Sequence, residues 1–162
     1  MWDIFKNENF SFVMPELKNL TLIGYAADNC IINFIKSFQK LETVEFFVQR
    51  CNGLKYIEKL VHIKEFTTTF YENKFASVKN MFKNFDEGSK LEILKFVNNG
   101  DGDIRLNYEN VMKEINEDEM KKLNIDLEAS GKSTWTLSHG EHIGTGEECV
   151  MFRRLRTKSC NK

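Results

Sequence analysis

The stretch "LEILKFVNN", residues 91–99, decides how this chain is expected to fold. Its apolar side chains fall at Leu91, Leu94 and Phe96, a spacing of three and then two residues, and Asn99 closes the segment. A pattern of this kind, with other apolar residues allowed, is typical of the strand in a stacked repeat unit. The first question is therefore whether it recurs along the chain.

The same spacing occurs at four other places, and successive copies begin 22 to 29 residues apart. The five segments are "LKNLTL" (17–22), "LETVEF" (41–46), "IKEFTT" (63–68), "LEILKF" (91–96) and "MKKLNI" (120–125). A regular step of this length indicates one strand and one further element per unit. Five strands are predicted from it.

The segments between these strands carry apolar residues at helical spacing. They are "DNCIINFIKSFQ" (28–39), "NGLKYIEKLV" (52–61), "SVKNMFKNFDEG" (77–88) and "NYENVMKEINED" (107–118). Apolar side chains three and four residues apart form one face of a helix, which must be buried against another layer. The sequence predicts an α/β protein with a parallel sheet backed by helices. The alternative is a small α/β sandwich in which strands and helices merely alternate.

The five units resemble leucine-rich repeats, and their helix-bearing, Phe-rich form is similar to the substrate-binding half of F-box/leucine-rich-repeat proteins. The resemblance covers roughly residues 14–127. It implies a solenoid with the parallel sheet on the concave face and helices on the convex face. The asparagine typical of the family is present only as Asn99, and other residues take its place in the remaining units: Tyr25, Gln49, Tyr71 and Glu128. Nothing similar to an F-box precedes Leu17, so the ligase half of the family's activity is not carried over.

This interpretation divides the chain into three parts. Residues 1–13 form an N-terminal segment or cap, residues 14–128 the five irregular repeats, and residues 129–162 a β-hairpin cap with a basic tail. The hairpin joins "STWTL" (133–137) to "CVMFRRLR" (149–156), with Trp135 and Phe152 expected to pack on the last repeat. A solenoid end exposes apolar edges, so a different terminal element is expected there. The basic run that includes Arg153, Arg154 and Arg156 is expected to be solvated.

Residues that alternate with the core positions of the strands should lie on the concave face. Ten of them are the predicted partner-binding residues: Ile23, Thr43, Glu45, Phe47, Glu65, Thr67, Thr69, Lys95, Val97 and Asn124. The row formed by Ile23, Phe47, Thr69 and Val97 is largely apolar, and Phe47 is its natural anchor for a partner protein. The alternative is that a loop or the C-terminal segment folds over this row.

Composition narrows the range of partners. The chain has 162 residues, a formal net charge of −1 and a pI of about 6.3, which gives no overall attraction to nucleic acid or to an anionic membrane. No apolar run approaches the roughly 18 residues of a membrane span. The four cysteines lack a C-x-x-C pair, which favours a reducing intracellular compartment, cytoplasmic or nuclear. A protein partner is predicted, without nucleic acid or membrane, and the oligomeric state stays open.

Motifs for chemistry are weak. "ASGKSTW" (129–135) has Asp126 where a phosphate-binding loop requires glycine, so a turn is expected. His139 and His142, with Cys149 nearby, could supply zinc ligands. A catalytic site needs a nucleophile, a base and an orienting group close together, and the sequence shows no such set. We therefore predict no enzyme, no catalytic residue, no metal and no cofactor.

The leading hypothesis is a protein-recognition module, which the resemblance extends to substrate recognition for an SCF-type ubiquitin ligase. The alternatives are a small metal- or phosphate-binding enzyme that uses the glycine-rich C-terminal segment, or an inactive repeat fragment.

Overall fold

The computed structural model describes residues 14–24, 29–48, 57–70, 75–98 and 103–156. The predicted N-terminal segment 1–13, the first half of the predicted helix at 52–61 and the family asparagine Asn99 lie outside these ranges, as do Tyr25, Gln49 and Tyr71. The described strands are β1 (Asn19–Gly24), β2 (Thr43–Val48), β3 (Glu65–Thr68), β4 (Ile93–Val97), β5 (Thr134–Glu141) and β6 (Glu148–Leu155). The described helices are α1 (Asn29–Ser37), α2 (Phe75–Asn84), α3 (Asp103–Glu114) and α4 (Glu117–Ala129).

The strands form one six-stranded mixed sheet in the order β1-β2-β3-β4-β6-β5. Strands β1 to β4 are parallel and follow chain order, whereas β6 runs antiparallel to β4 and pairs with β5 as a hairpin. The α/β class, the parallel arrangement of the first four predicted strands and the C-terminal hairpin are therefore confirmed.

The register of the parallel strands matches the repeat pattern. Leu20 pairs with Val44, Val44 with Phe66, and Phe66 with Leu94. The side chains of a strand alternate between its two faces, so a shift by one residue in any strand would expose its apolar set. Thr68 occupies an apolar position of this ladder, and its hydroxyl donates a hydrogen bond of 3.0 Å to the backbone oxygen of Phe46.

The four helices contribute apolar side chains to one core on one side of the sheet. The buried side chains that the helices contribute include Ile32 and Ile35 (α1), Phe75, Val78, Met81 and Phe82 (α2), Tyr108 and Val111 (α3), and Met120, Leu123 and Leu127 (α4). The sheet contributes Val44, Phe46, Phe66, Leu94, Phe96, Trp135, Val150 and Phe152 to the same cluster. The helix side of the sheet is therefore its buried side.

The hairpin is joined to this core by its aromatic residues. The ring of Trp135 stacks on Phe82 with centroids 4.5 Å apart, and Phe152 meets Phe96 edge to face at 6.0 Å. Aromatic pairs of this geometry stabilise a core beyond the area they bury. Trp135 and Phe152 are packed in the core, but these ring contacts are with α2 and β4 and not with the predicted last repeat, which begins at residue 120 inside helix α4.

A buried cation gives the hairpin a second attachment. The guanidinium of Arg154 donates to the backbone oxygen of Ser89 at 2.8 Å and to the carboxylate of Glu87 at 2.5 Å. Its side chain is only 1% exposed, so the expectation of a solvated basic run is wrong for this residue. Burial alone would raise the pKa of Glu87, but hydrogen bonds from Ser133 and the charge of Arg154 outweigh burial, and the pKa is lowered.

The fifth predicted strand, "MKKLNI", is wrong. Residues 120–125 lie inside helix α4, with Met120, Leu123 and Leu127 on its buried face. Asn116 caps this helix, since its side-chain oxygen accepts a hydrogen bond of 2.9 Å from the backbone N–H of Glu119. A spacing of three residues fits both a strand pattern and a helix face, and the acidic first turn after an N-cap decides for the helix.

Candidate functional site: the outer face of the sheet

The side of the sheet opposite the helices, here called the outer face, carries the residues that alternate with the core positions. Thr21, Glu45, Thr67 and Lys95 form one cross-strand row, which Met151 of β6 continues. The Thr21 hydroxyl donates to Glu45 at 2.8 Å, and Lys95 forms a short ion pair with Glu65. The outer face is therefore a polar surface ordered by side-chain hydrogen bonds.

The turn of the β5–β6 hairpin, residues 142–147 and here called the hairpin tip, reaches across the outer face. Nε2 of His142 lies 3.0 Å from Oε1 of Glu45, and its ring meets Phe47 edge to face with centroids 5.9 Å apart. The His142 side chain is 5% exposed. The tip therefore covers part of β2, two strands beyond the strand with which β6 pairs.

The tip is a tight turn held by its own backbone. The N–H of His142 donates to the oxygen of Glu147 at 2.8 Å, and the N–H of Gly146 donates to the oxygen of His142 at 2.7 Å. Gly146 has a φ of 70°, a conformation that glycine adopts without steric cost. Thr145 places its hydroxyl 3.4 Å from Nδ1 of His142. Both imidazole nitrogens therefore have protein partners, which leaves neither free to ligate a metal.

Five of the predicted partner-binding residues lie together, partly exposed, on the outer face: Thr43, Glu45, Phe47, Glu65 and Lys95. Ile23 lies beside Phe47 in the register and is 79% exposed, so its assignment to an exposed apolar surface is confirmed.

The remaining four predicted residues are not available to a partner in this structure. Thr67, Thr69 and Val97 are buried, so the predicted apolar row is open only at its Ile23 end. Asn124 is on helix α4, where its amide exchanges two hydrogen bonds with the backbone of Trp135. Its assignment to the sheet face is wrong because the strand prediction at 120–125 is wrong.

Three residues of the outer face escaped the sequence interpretation: His142, fully exposed Ile143 and half-buried Met151. The sequence left open that a loop or the C-terminal segment folds over the row, and in the structure the hairpin tip contacts Phe47 of that row. No sequence signal, however, tied His142 to Glu45. The one sequence feature that could have drawn attention to Ile143 is that it is an apolar residue within a glycine-rich turn.

The described residues offer little for catalysis or metal binding. Among them no group of three or more His, Cys, Asp or Glu side chains is placed to hold a metal ion. Cys149 is a buried free thiol, and burial raises its pKa, which disfavours the reactive thiolate. Burial, followed by the charge of Glu148, raises the pKa of Tyr108 to about 12. The expected turn at 130–133 links α4 to β5, with Gly131 at a φ of 69°.

Comparison with known proteins gives no match to a family model, to a curated protein or to a solved structure. None of the helices in the described ranges combines the length and the apolar character required to cross a membrane.

Proposed function

We propose that this chain is a protein-recognition module that binds its partner on the outer face. In this proposal β1 to β4 are the strands of successive leucine-rich-repeat-like units, the outer face is the concave surface of a short solenoid, and the hairpin closes its end. The in-register ladder from Leu20 to Leu94 supports this view, because stacked identical units would align equivalent residues in this way.

The observation that carries the proposal is the exposure of Ile23 next to Phe47 on the outer face. An exposed apolar side chain beside an aromatic ring gains free energy when a partner covers both. The ordered polar row of Thr21, Glu45 and Lys95 would fix the orientation of that partner through hydrogen bonds and charge. Action by binding rather than by catalysis fits these features best.

The resemblance to F-box/leucine-rich-repeat proteins extends the proposal one step. The partner would be a protein presented for ubiquitylation, and the chain would supply substrate recognition to an SCF-type ligase. This step predicts that ligase subunits accompany the module in cells.

The test is affinity capture of partners from a cell lysate, with quantification by mass spectrometry. Wild-type protein is compared with Ile23→Asp and Phe47→Ala. The matched control is Ile125→Asp, because Ile125 is 65% exposed on helix α4, away from the outer face. Proteins that are enriched by the wild type and by Ile125→Asp, but lost from both outer-face variants, would support the proposal. Equal capture by all four proteins would overturn it, provided that circular dichroism shows all four folded.

A further inference from the structure

A cleft of about 460 Å³ lies between the hairpin tip and the outer face. Its lining includes Glu45 and Glu65 from the sheet, Glu141 from the end of β5, and Lys95, the one Lys or Arg that the described residues contribute to it. Lys95 is already paired with Glu65, and Glu45 is held by Thr21 and His142. This outer cleft therefore has an excess of negative charge, and Glu141 is its exposed carboxylate.

Apart from Arg153 and Arg154 near the end of β6, the charged residues of the hairpin are all acidic. Residues 133–152 include three glutamates and neither lysine nor arginine. Glu141 and Glu148 face each other directly across the β5–β6 ladder. Like charges opposite each other destabilise a strand pair, so this arrangement costs folding free energy that a basic residue at either position would recover. Unfavourable local choices of this kind are expected at functional sites more often than elsewhere.

A buried hydroxyl lies next to the cleft. Thr67 lies in the cross-strand row between Glu45 and Lys95, two residues of the cleft wall, and is 1% exposed. Its hydroxyl has no hydrogen-bond partner within the described part of the chain. Buried polar groups are almost always paired, so this hydroxyl is an unfavourable feature of the sheet next to the cleft.

The cleft also has an apolar side. Ile143 of the hairpin tip lines the cleft and is fully exposed, and half-buried Met151 lies at the end of the polar row. A fully exposed isoleucine at the end of a turn gains nothing from the fold of its own chain, whereas contact with a partner would remove its surface from water. The cleft therefore combines an exposed apolar side chain with a lining that is rich in carboxylates.

We propose that the outer cleft binds an extended segment of the partner protein that carries lysine or arginine next to an apolar residue. The cationic side chain enters the cleft near Glu141, and the apolar side chain packs on Ile143. This inference rests on the proposed function and specifies the chemistry of its partner. Charge complementarity selects the cation, and the position of Ile143 places the apolar neighbour beside it.

The experiment uses two fluorescein-labelled peptides as probes. In the first, leucine and lysine alternate and are separated by glycine and serine. The second has the same sequence with glutamate in place of each lysine. Fluorescence anisotropy measures their binding to the full 162-residue chain at low and at high ionic strength. The variants are Glu141→Lys and Ile143→Asp. Their matched controls are Glu128→Lys and Ile125→Asp, which make the same changes at exposed positions on helix α4.

We expect the lysine peptide to bind the wild type more tightly than the glutamate peptide, with an affinity that falls as salt rises. Each cleft variant should weaken this binding severalfold, and the controls should not. Glu141→Lys should at the same time raise the urea midpoint of unfolding, because it converts the repulsive pair with Glu148 into an attractive one. Weaker binding in a more stable protein cannot be explained by a damaged fold.

Three results would overturn the inference: no preference for the lysine peptide, equal weakening by the controls, or a change in self-association of the free protein in the cleft variants. The last would identify a second copy of this chain as the occupant. None of them bears on the loss of partners in Ile23→Asp, so failure of the cleft chemistry is distinguishable from failure of recognition by the outer face.

Discussion

The imidazole of His142 lies 3.0 Å from the carboxylate of Glu45, although the two residues are 97 positions apart in the chain. This contact joins the tip of the last hairpin to the second strand of the parallel sheet. It also brings the ring of His142 against Phe47, the residue expected to anchor a partner. The tip therefore limits access to the outer face and forms one wall of the cleft.

Replacing His142 by alanine should free the hairpin tip. The loss of a buried hydrogen bond to a carboxylate should lower the free energy of unfolding by about 1 to 3 kcal/mol. Hydrogen exchange of the amides at 142–147 should accelerate as the tip detaches. Urea unfolding and exchange mass spectrometry measure the two effects. His139→Ala is the control because His139 is exposed on β5, and an equal loss in both variants would contradict the role given to His142.

The adjacent threonines 67 and 68 should respond in opposite ways to substitution by valine. Both are 1% exposed, but Thr68 donates to Phe46 at 3.0 Å, whereas the Thr67 hydroxyl has no partner among the described residues. Thr68→Val should destabilise the protein by about 1 kcal/mol through the lost hydrogen bond. Thr67→Val should be neutral or stabilising by a similar amount, because it removes an unpaired buried hydroxyl. Equal destabilisation in chemical denaturation would show that Thr67 has a partner after all.

Stability should depend on pH through Glu87. Its pKa is lowered in the folded protein, so its contribution is fully present above its ordinary pKa of 4.5 and is lost as the pH falls through the folded-state value. Wild-type protein should therefore exceed Glu87→Gln in stability at neutral pH, and this difference should shrink below about pH 4.5. Urea unfolding at a series of pH values measures it. Glu128→Gln is the control, and a difference for Glu87→Gln that stays constant on acidification would refute the prediction.

The stacked rings of Phe70 and Phe96 should be central to folding. Their centroids are 4.0 Å apart, their planes are nearly parallel, and both side chains are buried. Phe96→Ala should cost about 3 to 5 kcal/mol through lost burial and the cavity that remains. Phe47→Ala, at a half-exposed position of the outer face, should cost clearly less. Denaturant midpoints compare them, and similar losses would place Phe47 in the core instead.

The register of the parallel sheet could be predicted because it depends on a local pattern. In each of the first four copies, the core-facing residues occupy alternate positions of a short strand and are apolar except for Thr68, and only one register buries all four sets. The pairing of Leu20, Val44, Phe66 and Leu94 results from that requirement. The aromatic attachment of the hairpin was predictable for a similar reason, since large rings such as Trp135 must find an apolar surface.

The fifth unit could not be predicted by the same pattern. Met120 and Leu123 are three residues apart, which fits a helix face as well as a strand, and the choice between the two depends on the flanking residues. The signal that decides is Asn116 with an acidic first turn directly after it, and the repeat interpretation gave it no weight. Asn124 was consequently assigned to the wrong layer of the protein.

The sequence by itself determined the first four parallel strands and the face that each one buries, because alternation of apolar and polar residues over a few positions specifies which side of a strand leaves water. Only the tertiary structure decided that the hairpin tip crosses the outer face, that His142 meets Glu45, and that a cleft with excess carboxylate lies beneath it. These features depend on the position that the hairpin turn takes in the folded protein, relative to strands far away in the sequence. A local sequence pattern cannot predict the contact between His142 and Glu45, because nothing in the residues around either position requires it.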